Sequence, residues 1–87
     1  MKDQWNINYY QKQAVKTAIY PDSHQIVYPA LGLAGEAGEV ANKVKKFVRD
    51  GYDQEGFELK KGELASEIGD VLWYCAALAN DIGYNLQ

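Results

Sequence analysis

Cysteine and histidine are scarce in this sequence, and their scarcity excludes several chemistries. The 87 residues include one cysteine and one histidine. A single cysteine cannot form an internal disulfide, and Cys75 lies in an apolar run, where we expect a buried thiol. A Ser/His/Asp or Cys/His nucleophilic site cannot be assembled convincingly from His24 and Cys75. A redox di-iron bundle would need histidines one turn from its glutamates, and the sequence has none there.

Basic stripes and long apolar runs are also missing. The net charge is −3, from 9 basic and 12 acidic side chains, and no basic stripe indicates duplex nucleic acid as a partner. No apolar run approaches the roughly 20 residues of a membrane span, and no signal peptide is evident. A glycine loop of the Walker kind is absent too. We therefore expect a cytoplasmic protein that binds neither nucleic acid nor a membrane.

Apolar residues, in contrast, are abundant for so short a chain. They make up 47% of the sequence, and aromatic residues make up 13%. A chain of this length buries only about 60–65% of its unfolded surface. We expect one domain over residues 1–87, whose core is completed by homo-oligomerisation.

Helical spacing of apolar residues recurs in three segments, whereas strand signals are weak. We predict a first helix over Asn8–Tyr20, capped by its own first residue. A second helix is predicted over Pro29–Asp50, with Gly51 as its stop. A third is predicted to begin between positions 58 and 64 and to end near Gly83. The fold class is therefore all-α, a compact helical hairpin or bundle of three to four helices. The core candidates of the third helix are Leu64, Ile68, Val71, Leu72, Cys75, Leu78, Ala79 and Ile82.

Two short acidic motifs lie inside the second and third helices. They are Glu36-Ala-Gly-Glu39 and Glu67-Ile-Gly-Asp70. Residues three apart share a helical face, so two facing helices would bring four carboxylates into one volume. There they cannot all stay ionised without cations, and oxygen-only sets suit hard ions such as Mg²⁺ or Mn²⁺. One such pair is typical of a solvated helix face. Two pairs with apolar, glycine and alanine neighbours favour a metal site.

Two lysines follow the first motif on the same helix. Lys43 lies one turn beyond Glu39, and Lys46 lies two turns beyond it. One interpretation is an ordinary Glu39–Lys43 pair, worth ~0.2–0.5 kcal/mol, with Lys46 in solvent. The other is that both ammonium groups contact the phosphates of a metal-bound substrate.

Glycines lie inside the predicted helices, where glycine lowers helix stability. Each of Gly35, Gly38 and Gly69 costs roughly 0.5–1 kcal/mol relative to alanine. The latter two directly precede a motif carboxylate. One interpretation is that they let another backbone or a ligand come close, and the other is helix fraying at Gly35 with tight packing at the other two.

The two motifs with their flanks resemble a known family. Leu-Ala-Gly-Glu-Ala-Gly-Glu-Val at 33–40 and Glu-Ile-Gly-Asp-Val-Leu-Trp-Tyr at 67–74 are similar to the MazG-type nucleoside triphosphate pyrophosphohydrolases. Their hallmark is E-x-x-E, a variable spacer and E-x-x-D. The likeness covers most of the chain, from the first helix to Leu86. It implies Mg²⁺-dependent cleavage of a nucleoside triphosphate, in particular a deoxynucleoside triphosphate, between the α and β phosphates. It also implies a homodimer or homotetramer, the usual state in this all-α superfamily, which includes dimeric dUTPases and phosphoribosyl-ATP pyrophosphohydrolases.

The resemblance assigns roles to the motif carboxylates. Glu36, Glu39, Glu67 and Asp70 would be Mg²⁺ ligands. Glu36 or Glu39 would also be catalytic, orienting or deprotonating the attacking water. Many relatives carry an extra glutamate just before the first motif, where this chain has Gly35. The number of metal ions and the identity of the base stay open at this point.

Substrate contacts are expected beyond the carboxylates. Tyr74, one turn after Asp70, is placed to stack on or hydrogen-bond the nucleoside, and Asn80 to contact sugar or phosphate. Lys43 and Lys46 complete the predicted substrate-binding set. Further candidates on the first helix and the following turn are Gln11, Thr17, Tyr20 and His24. For Trp5, Tyr9, Tyr10 and Trp73 we favour core or oligomer packing.

A non-catalytic protein is the alternative hypothesis. In it, the chain is a helical oligomerisation or interaction module whose carboxylates bind a structural cation or meet a basic partner. This hypothesis predicts no turnover with any nucleotide, and carboxylate substitutions that weaken assembly.

Overall fold

The architecture is all-helical in a computed structural model that describes residues 5–51 and 54–87. The elements are α1 (Ile7–Val15), a 3₁₀ turn (Asp22–His24), α2 (Val27–Asp50) and α3 (Gln54–Asp81). No strand occurs in the described ranges. The predicted all-α class and helical bundle are therefore confirmed.

The two long helices form an antiparallel hairpin, and α1 packs on α3. Contacts across the hairpin show its direction: Lys43 of α2 meets Glu63 of α3, whereas Glu36, two turns earlier, meets Asp70, two turns later. Gly51 ends α2 with φ of 88°, a conformation that glycine adopts without steric cost. The predicted end of the second helix at Asp50 is confirmed.

The first helix begins earlier than predicted. Its cap is Asn6 and not Asn8, because the Asn6 side chain accepts a hydrogen bond from the backbone N–H of Tyr9 at 2.8 Å. Both asparagines suit a cap position. The side chain of Asn8 instead accepts from the backbone N–H of Gln87, at 3.2 Å.

The first helix also ends five residues before the predicted limit at Tyr20. Beyond Val15 the backbone makes tighter i→i−3 bonds. The Thr17 hydroxyl donates to the carbonyl of Ala14 at 2.7 Å, and a side chain that competes for a helix carbonyl favours termination. The same hydroxyl oxygen accepts from Trp73 Nε1 at 2.8 Å, so a contact with α3 stabilises this end.

The start of α2 has an unusual backbone. The helix begins at Val27, two residues before the predicted Pro29. Ile26 has φ of 71° and ψ of −56°, and the backbone N–H of Val27 donates to the carbonyl of Gln25 at 2.7 Å. This is a γ-turn with positive φ at its centre, a rare and strained conformation for a β-branched residue.

The start of α3 differs from the prediction as well. The helix begins at Gln54, four residues before the predicted range, and continues to Asp81. The connector is correspondingly shorter than the predicted one at 51–56, and its positions 52 and 53 lie outside the described residues.

The core is thin, because the molecule is a flat layer with extents of 43 × 37 × 19 Å. The buried apolar residues in the described ranges are Ala14, Pro29, Ala76 and Ala77. Three predicted core residues of the third helix are about half exposed: Ile68 at 49%, Leu72 at 43% and Ile82 at 53%. Cys75 is partly exposed and not fully buried as expected. One face of the hairpin has no cover within the described chain, so an apolar stripe alone did not identify buried positions.

Across the described residues, no helix combines the length and the apolar character that crossing a membrane requires.

Candidate metal and substrate site

Three of the four motif carboxylates meet between the long helices. Glu36 of α2 and Glu67 and Asp70 of α3 each offer an oxygen, and these oxygens all lie within 4.8 Å of one another. Glu36 and Glu67 are partly buried, and Asp70 is exposed. Three carboxylate oxygens without nitrogen or sulfur form a donor set that suits a hard divalent cation.

The electrostatics of this cluster centre on Glu36. Its Oε2 is buried, and no hydrogen-bond donor of the described chain reaches it. The pKa of Glu36 is raised to about 7 by a hydrogen bond with Glu67, by burial and by the negative charges of Glu67, Asp70 and Glu39. The hydrogen bond requires a proton shared by the two carboxyl groups, so Oε2 has no partner when both are ionised. Either a proton or a cation therefore has to occupy this place.

The fourth carboxylate lies at the margin of the cluster. Glu39 is exposed, and its oxygens are outside the group that lies within 4.8 Å. Its charge still contributes to the raised pKa of Glu36, so the two side chains face the same region.

Glycines beside the motifs leave their surroundings open. Apart from the neighbouring residues and the backbone of the same helix, no atom of the described chain lies within 4 Å of the position that a Cβ would take at Gly35, Gly38 or Gly69. The interpretation as tight packing between helices of this chain is therefore wrong. Access for a ligand, or for another chain, is the interpretation that stays.

The two lysines have different environments. Lys43 Nζ lies 3.5 Å from Glu63 Oε1 and 3.7 Å from Glu67 Oε2, so it places a positive charge beside the carboxylate cluster. Lys46 is exposed and lies ten residues after Glu36, about 15 Å along the helix. Its charge contributes to a lowered pKa of Asp50, a shift that a hydrogen bond from Arg49 dominates.

Tyr74 lies where the sequence predicted, on the same face as Glu67 and Asp70. Its ring packs directly on the backbone of Gly32, and a Cβ at Gly32 would overlap the ring. The pKa of Tyr74 is raised by burial, by a hydrogen bond with Tyr28 and by the charges of Tyr28, Glu36 and Asp70. The Tyr74 hydroxyl therefore lies between the tyrosines and the carboxylates. The importance of Gly32 was missed, because nothing local distinguishes it from the other helical glycines.

Asn80, the last predicted contact, is far from the cluster. It is exposed and lies ten residues after Asp70, about 15 Å along α3. Its carbonyl accepts from the backbone N–H of Gly83 at 3.0 Å, where the helix ends.

Comparison with known proteins agrees with the acidic motifs. The model of the MazG nucleotide pyrophosphohydrolase domain matches residues 25–85, which contain both motifs. The chain belongs to the MazG nucleotide pyrophosphohydrolase domain family. It is also 46% identical over 83 residues to the "Gene 37 protein" of Mycobacterium phage L5, a match that covers 88% of this chain and 72% of that protein. No solved structure matches significantly.

Two polar residues of this MazG domain have structural roles that sequence reasoning did not assign. Gln11, a predicted candidate for substrate binding, is buried. Its amide donates to the carbonyls of Ala76 and Tyr84, at 3.3 and 3.0 Å, and accepts from the backbone N–H of Leu86 at 3.0 Å. Its polar atoms are therefore used inside the fold, and it joins α1 to the C-terminal segment.

The second of these residues is Asp81, which was missed altogether. Asp81 Oδ2 accepts from the Tyr20 hydroxyl at 2.8 Å and from the backbone N–H of Ile26 at 2.9 Å. Burial and this hydrogen bond raise the pKa of Tyr20 to about 12. The contacts join the end of α3 to the start of α2. The bonded residues lie 55 and 61 positions apart in the chain, and no local sequence signal links residues at such distances.

Proposed function

We propose that this MazG domain hydrolyses a nucleoside triphosphate, in particular a deoxynucleoside triphosphate, between the α and β phosphates. The products are a nucleoside monophosphate and pyrophosphate, and the reaction depends on Mg²⁺ or Mn²⁺. Family membership supports the reaction class. The observation that carries the proposal is the convergence of Glu36, Glu67 and Asp70 within 4.8 Å, with a buried Glu36 oxygen that no donor reaches.

The carboxylates of the cluster would hold the cation. Glu36, Glu67 and Asp70 would supply three oxygens from two helices, and Glu39, at the margin of the cluster, would be a fourth ligand. When bound, a divalent ion supplies charge neutralisation at the phosphates and lowers the pKa of bound water. Lys43, beside Glu67, adds a positive charge for the phosphate oxygens.

Glu36 is also the best candidate for the base. In the proposed reaction the water oxygen bonds to the α phosphorus, and the bond from that phosphorus to the bridging oxygen breaks. Pyrophosphate leaves with the electron pair, and the water proton passes to a carboxylate. Glu36 Oε2 has no donor in reach, which supports Glu36 as the acceptor of this proton.

An oligomer is part of the proposal. The uncovered face of the hairpin carries Ile68 and Leu72 at 49% and 43% exposure, and Leu31 of α2 is 70% exposed. Exposed apolar side chains such as these favour an interaction surface. We expect a homodimer or homotetramer that buries these residues.

The test is an assay of the full chain for pyrophosphate and nucleoside monophosphate, over a panel of nucleoside triphosphates with Mg²⁺ or with EDTA. We expect turnover with Mg²⁺ alone. Asp70→Asn is expected to lower the rate at least about 100-fold, since it removes one cation ligand. Glu55→Gln, the same kind of change at an exposed position of α3, is the matched control and should keep the rate.

Three results would contradict the proposal. Release of orthophosphate with a nucleoside diphosphate would show that the bond between the β and γ phosphates is cleaved. Full activity of Asp70→Asn, with the fold verified by circular dichroism, would show that the carboxylate cluster is not part of the active site. An absence of turnover together with cation-dependent assembly would favour the non-catalytic module.

A further inference from the structure

The carboxylate of Asp81, the last residue of α3, holds two groups of the segment that leads into α2. Its Oδ2 accepts from the Tyr20 hydroxyl at 2.8 Å and from the backbone N–H of Ile26 at 2.9 Å. Asp81 lies eleven residues after Asp70, about 16 Å along the helix. It is therefore too far from the carboxylate cluster to touch a cation or a phosphate there. Any effect of Asp81 on that site has to pass through other residues.

Both hydrogen bonds of Asp81 lead to Tyr28. The rings of Tyr20 and Tyr28 are stacked, with centroids 4.9 Å apart and planes inclined by 23°. Ile26 lies two residues before Tyr28, and its φ is 71°. A β-branched residue keeps such a conformation only where the surrounding contacts enforce it. The Asp81 carboxylate therefore fixes Tyr28 twice, through the stacked ring and through the backbone.

Tyr28 in turn contacts the tyrosine that lies nearest the carboxylates. Its ring centroid is 6.3 Å from that of Tyr74, and the two side chains share a hydrogen bond. On its other side the Tyr74 ring packs directly on the backbone of Gly32. The charges of Glu36 and Asp70 reach Tyr74 and contribute to its raised pKa. The position of the Tyr74 hydroxyl beside the carboxylates thus depends on where Tyr28 is held.

We propose that Asp81 is a positioning residue of the proposed active site. By way of Tyr20 and Tyr28, it holds the Tyr74 hydroxyl beside the carboxylate cluster. The inference rests on the proposed function only in taking that site to bind a nucleoside triphosphate. The cluster itself is carried by the middle of two long helices, so its three carboxylates converge without help from Asp81. The contact between Tyr74 and the substrate is the part that Asp81 controls.

The kinetic test compares Asp81→Ala with Asp81→Asn in the full chain at saturating Mg²⁺. Both substitutions remove the carboxylate, but an amide oxygen can still accept two hydrogen bonds. We expect Asp81→Ala to raise KM roughly 2- to 12-fold, the change that corresponds to one hydrogen bond of ordinary strength. Asp81→Asn should restore the parent KM. A residue that only stabilised the fold would reduce the folded fraction, which lowers the apparent kcat and leaves KM unchanged.

Tyr20→Phe tests one of the two bonds separately. It removes the hydroxyl donor but keeps the ring and leaves the bond from Ile26 to Asp81 in place. We expect its KM to rise less than that of Asp81→Ala. Asp50→Ala is the matched control, because Asp50 is the last residue of α2, is exposed and pairs only with the neighbouring Arg49 among the described residues. It should keep both KM and kcat.

A spectroscopic test needs no turnover. The tyrosine rings are isotopically labelled and followed by NMR in the metal-free chain with EDTA, and Tyr74→Phe assigns the Tyr74 signal. We expect this signal to shift in Asp81→Ala and in Tyr20→Phe, and to keep its parent position in Asp81→Asn. The signal of Tyr9, at the start of α1, should not move in any of these variants.

Three outcomes overturn the inference. They are a parent KM in Asp81→Ala, equal KM values in Asp81→Ala and Asp81→Asn, and a Tyr74 signal that does not move in Asp81→Ala. If Asp81→Ala does not fold, Tyr20→Phe decides, and a parent KM with an unshifted Tyr74 signal in that variant overturns the inference.

Failure of the inference and failure of the proposed function give different results. A shifted Tyr74 signal in Asp81→Ala, with no triphosphate hydrolysis by the parent chain, would support the positioning contacts and reject the proposed reaction. Hydrolysis by the parent chain, with an unshifted Tyr74 signal and an unchanged KM in Asp81→Ala, would do the reverse.

Discussion

Within the described chain, a buried carboxylate oxygen lacks a hydrogen-bond donor in the middle of the α2–α3 hairpin, whereas polar groups are hydrogen-bonded at the end where α1 meets α3. In the middle, carboxylates converge and Glu36 Oε2 lacks a donor. At the other end, the Gln11 amide makes three hydrogen bonds and Asp81 accepts two. The first arrangement needs a proton or a cation to balance its charges, whereas the second is complete within the chain. Like charges without partners thus indicate binding, and satisfied buried polar groups indicate architecture.

Glu36→Gln, which alters the carboxylate cluster, should have the largest effect on activity. We expect activity to fall at least about 100-fold, because a cation ligand and the candidate base are lost together. We also expect the metal-free variant to be more stable than the parent chain, since one of the converging charges is removed. Pyrophosphate release and thermal unfolding with EDTA measure the two effects, with Glu55→Gln as control. A variant that loses both activity and metal-free stability would show that the cluster is not under strain without its cation.

Asp81→Ala addresses the other end of the molecule. It leaves the Tyr20 hydroxyl and the Ile26 N–H without their acceptor, so we expect the free energy of unfolding to fall by about 1–3 kcal/mol. Asp81→Asn retains one acceptor oxygen and should cost less. Urea unfolding followed by circular dichroism measures both. Equal stability of Asp81→Ala and the parent chain would mean that this end does not depend on the contact.

Gly32→Ala tests the contact between Gly32 and Tyr74, at the border between these two regions. The new methyl group would overlap the Tyr74 ring, and we expect a loss of about 1–2 kcal/mol in unfolding free energy despite the better helix propensity of alanine. Gly62→Ala, in α3 with open space at the Cβ position, is the matched control. It should gain roughly 0.5–1 kcal/mol. Similar shifts for both variants would show that Tyr74 moves aside without cost.

The smallest expected effect is a change in the free energy of unfolding with pH. The pKa of Glu36 is raised from 4.5 to about 7, first by the hydrogen bond with Glu67 and then by burial and neighbouring charges. Between these values the folded metal-free chain holds a proton that the unfolded chain releases, so the free energy of unfolding falls as pH rises. Excess Mg²⁺ binds the deprotonated site, and its stabilising effect should grow over the same interval. Melting temperatures with Mg²⁺ and with EDTA test this, and Glu36→Gln should flatten both trends.

Local sequence signals predicted the parts of the fold that depend on local physics. The helical periodicity, the stop at Gly51 and the shared face of Glu67, Asp70 and Tyr74 follow from positions a few residues apart, and the structure agrees. The facing of Glu36 and Glu67 needed one further step, the packing of two helices joined by a short connector.

Features that depend on distant contacts were not predictable from the sequence. Asn6 and Asn8 are equally good caps by type, and hydrogen bonds elsewhere decide between them. The end of α1 is fixed by a bond between Thr17 and Trp73, 56 residues later, in addition to the local bond from Thr17 to Ala14. The hydrogen bonds that assign Gln11 to the interior connect it to residues 65 to 75 positions away.

The contact between Asp81 and Ile26 has a consequence for the order of folding. The residue before α2 offers no side-chain cap of its own, and the acceptor for its N–H lies 55 residues later, at the end of α3. Closing so long a loop costs entropy that local helix formation does not. During synthesis, therefore, α2 emerges with an open first turn, and the strained γ-turn at Ile26 forms after α3 has been made and has docked. We therefore expect the start of α2 to be among the last of the described parts to assemble.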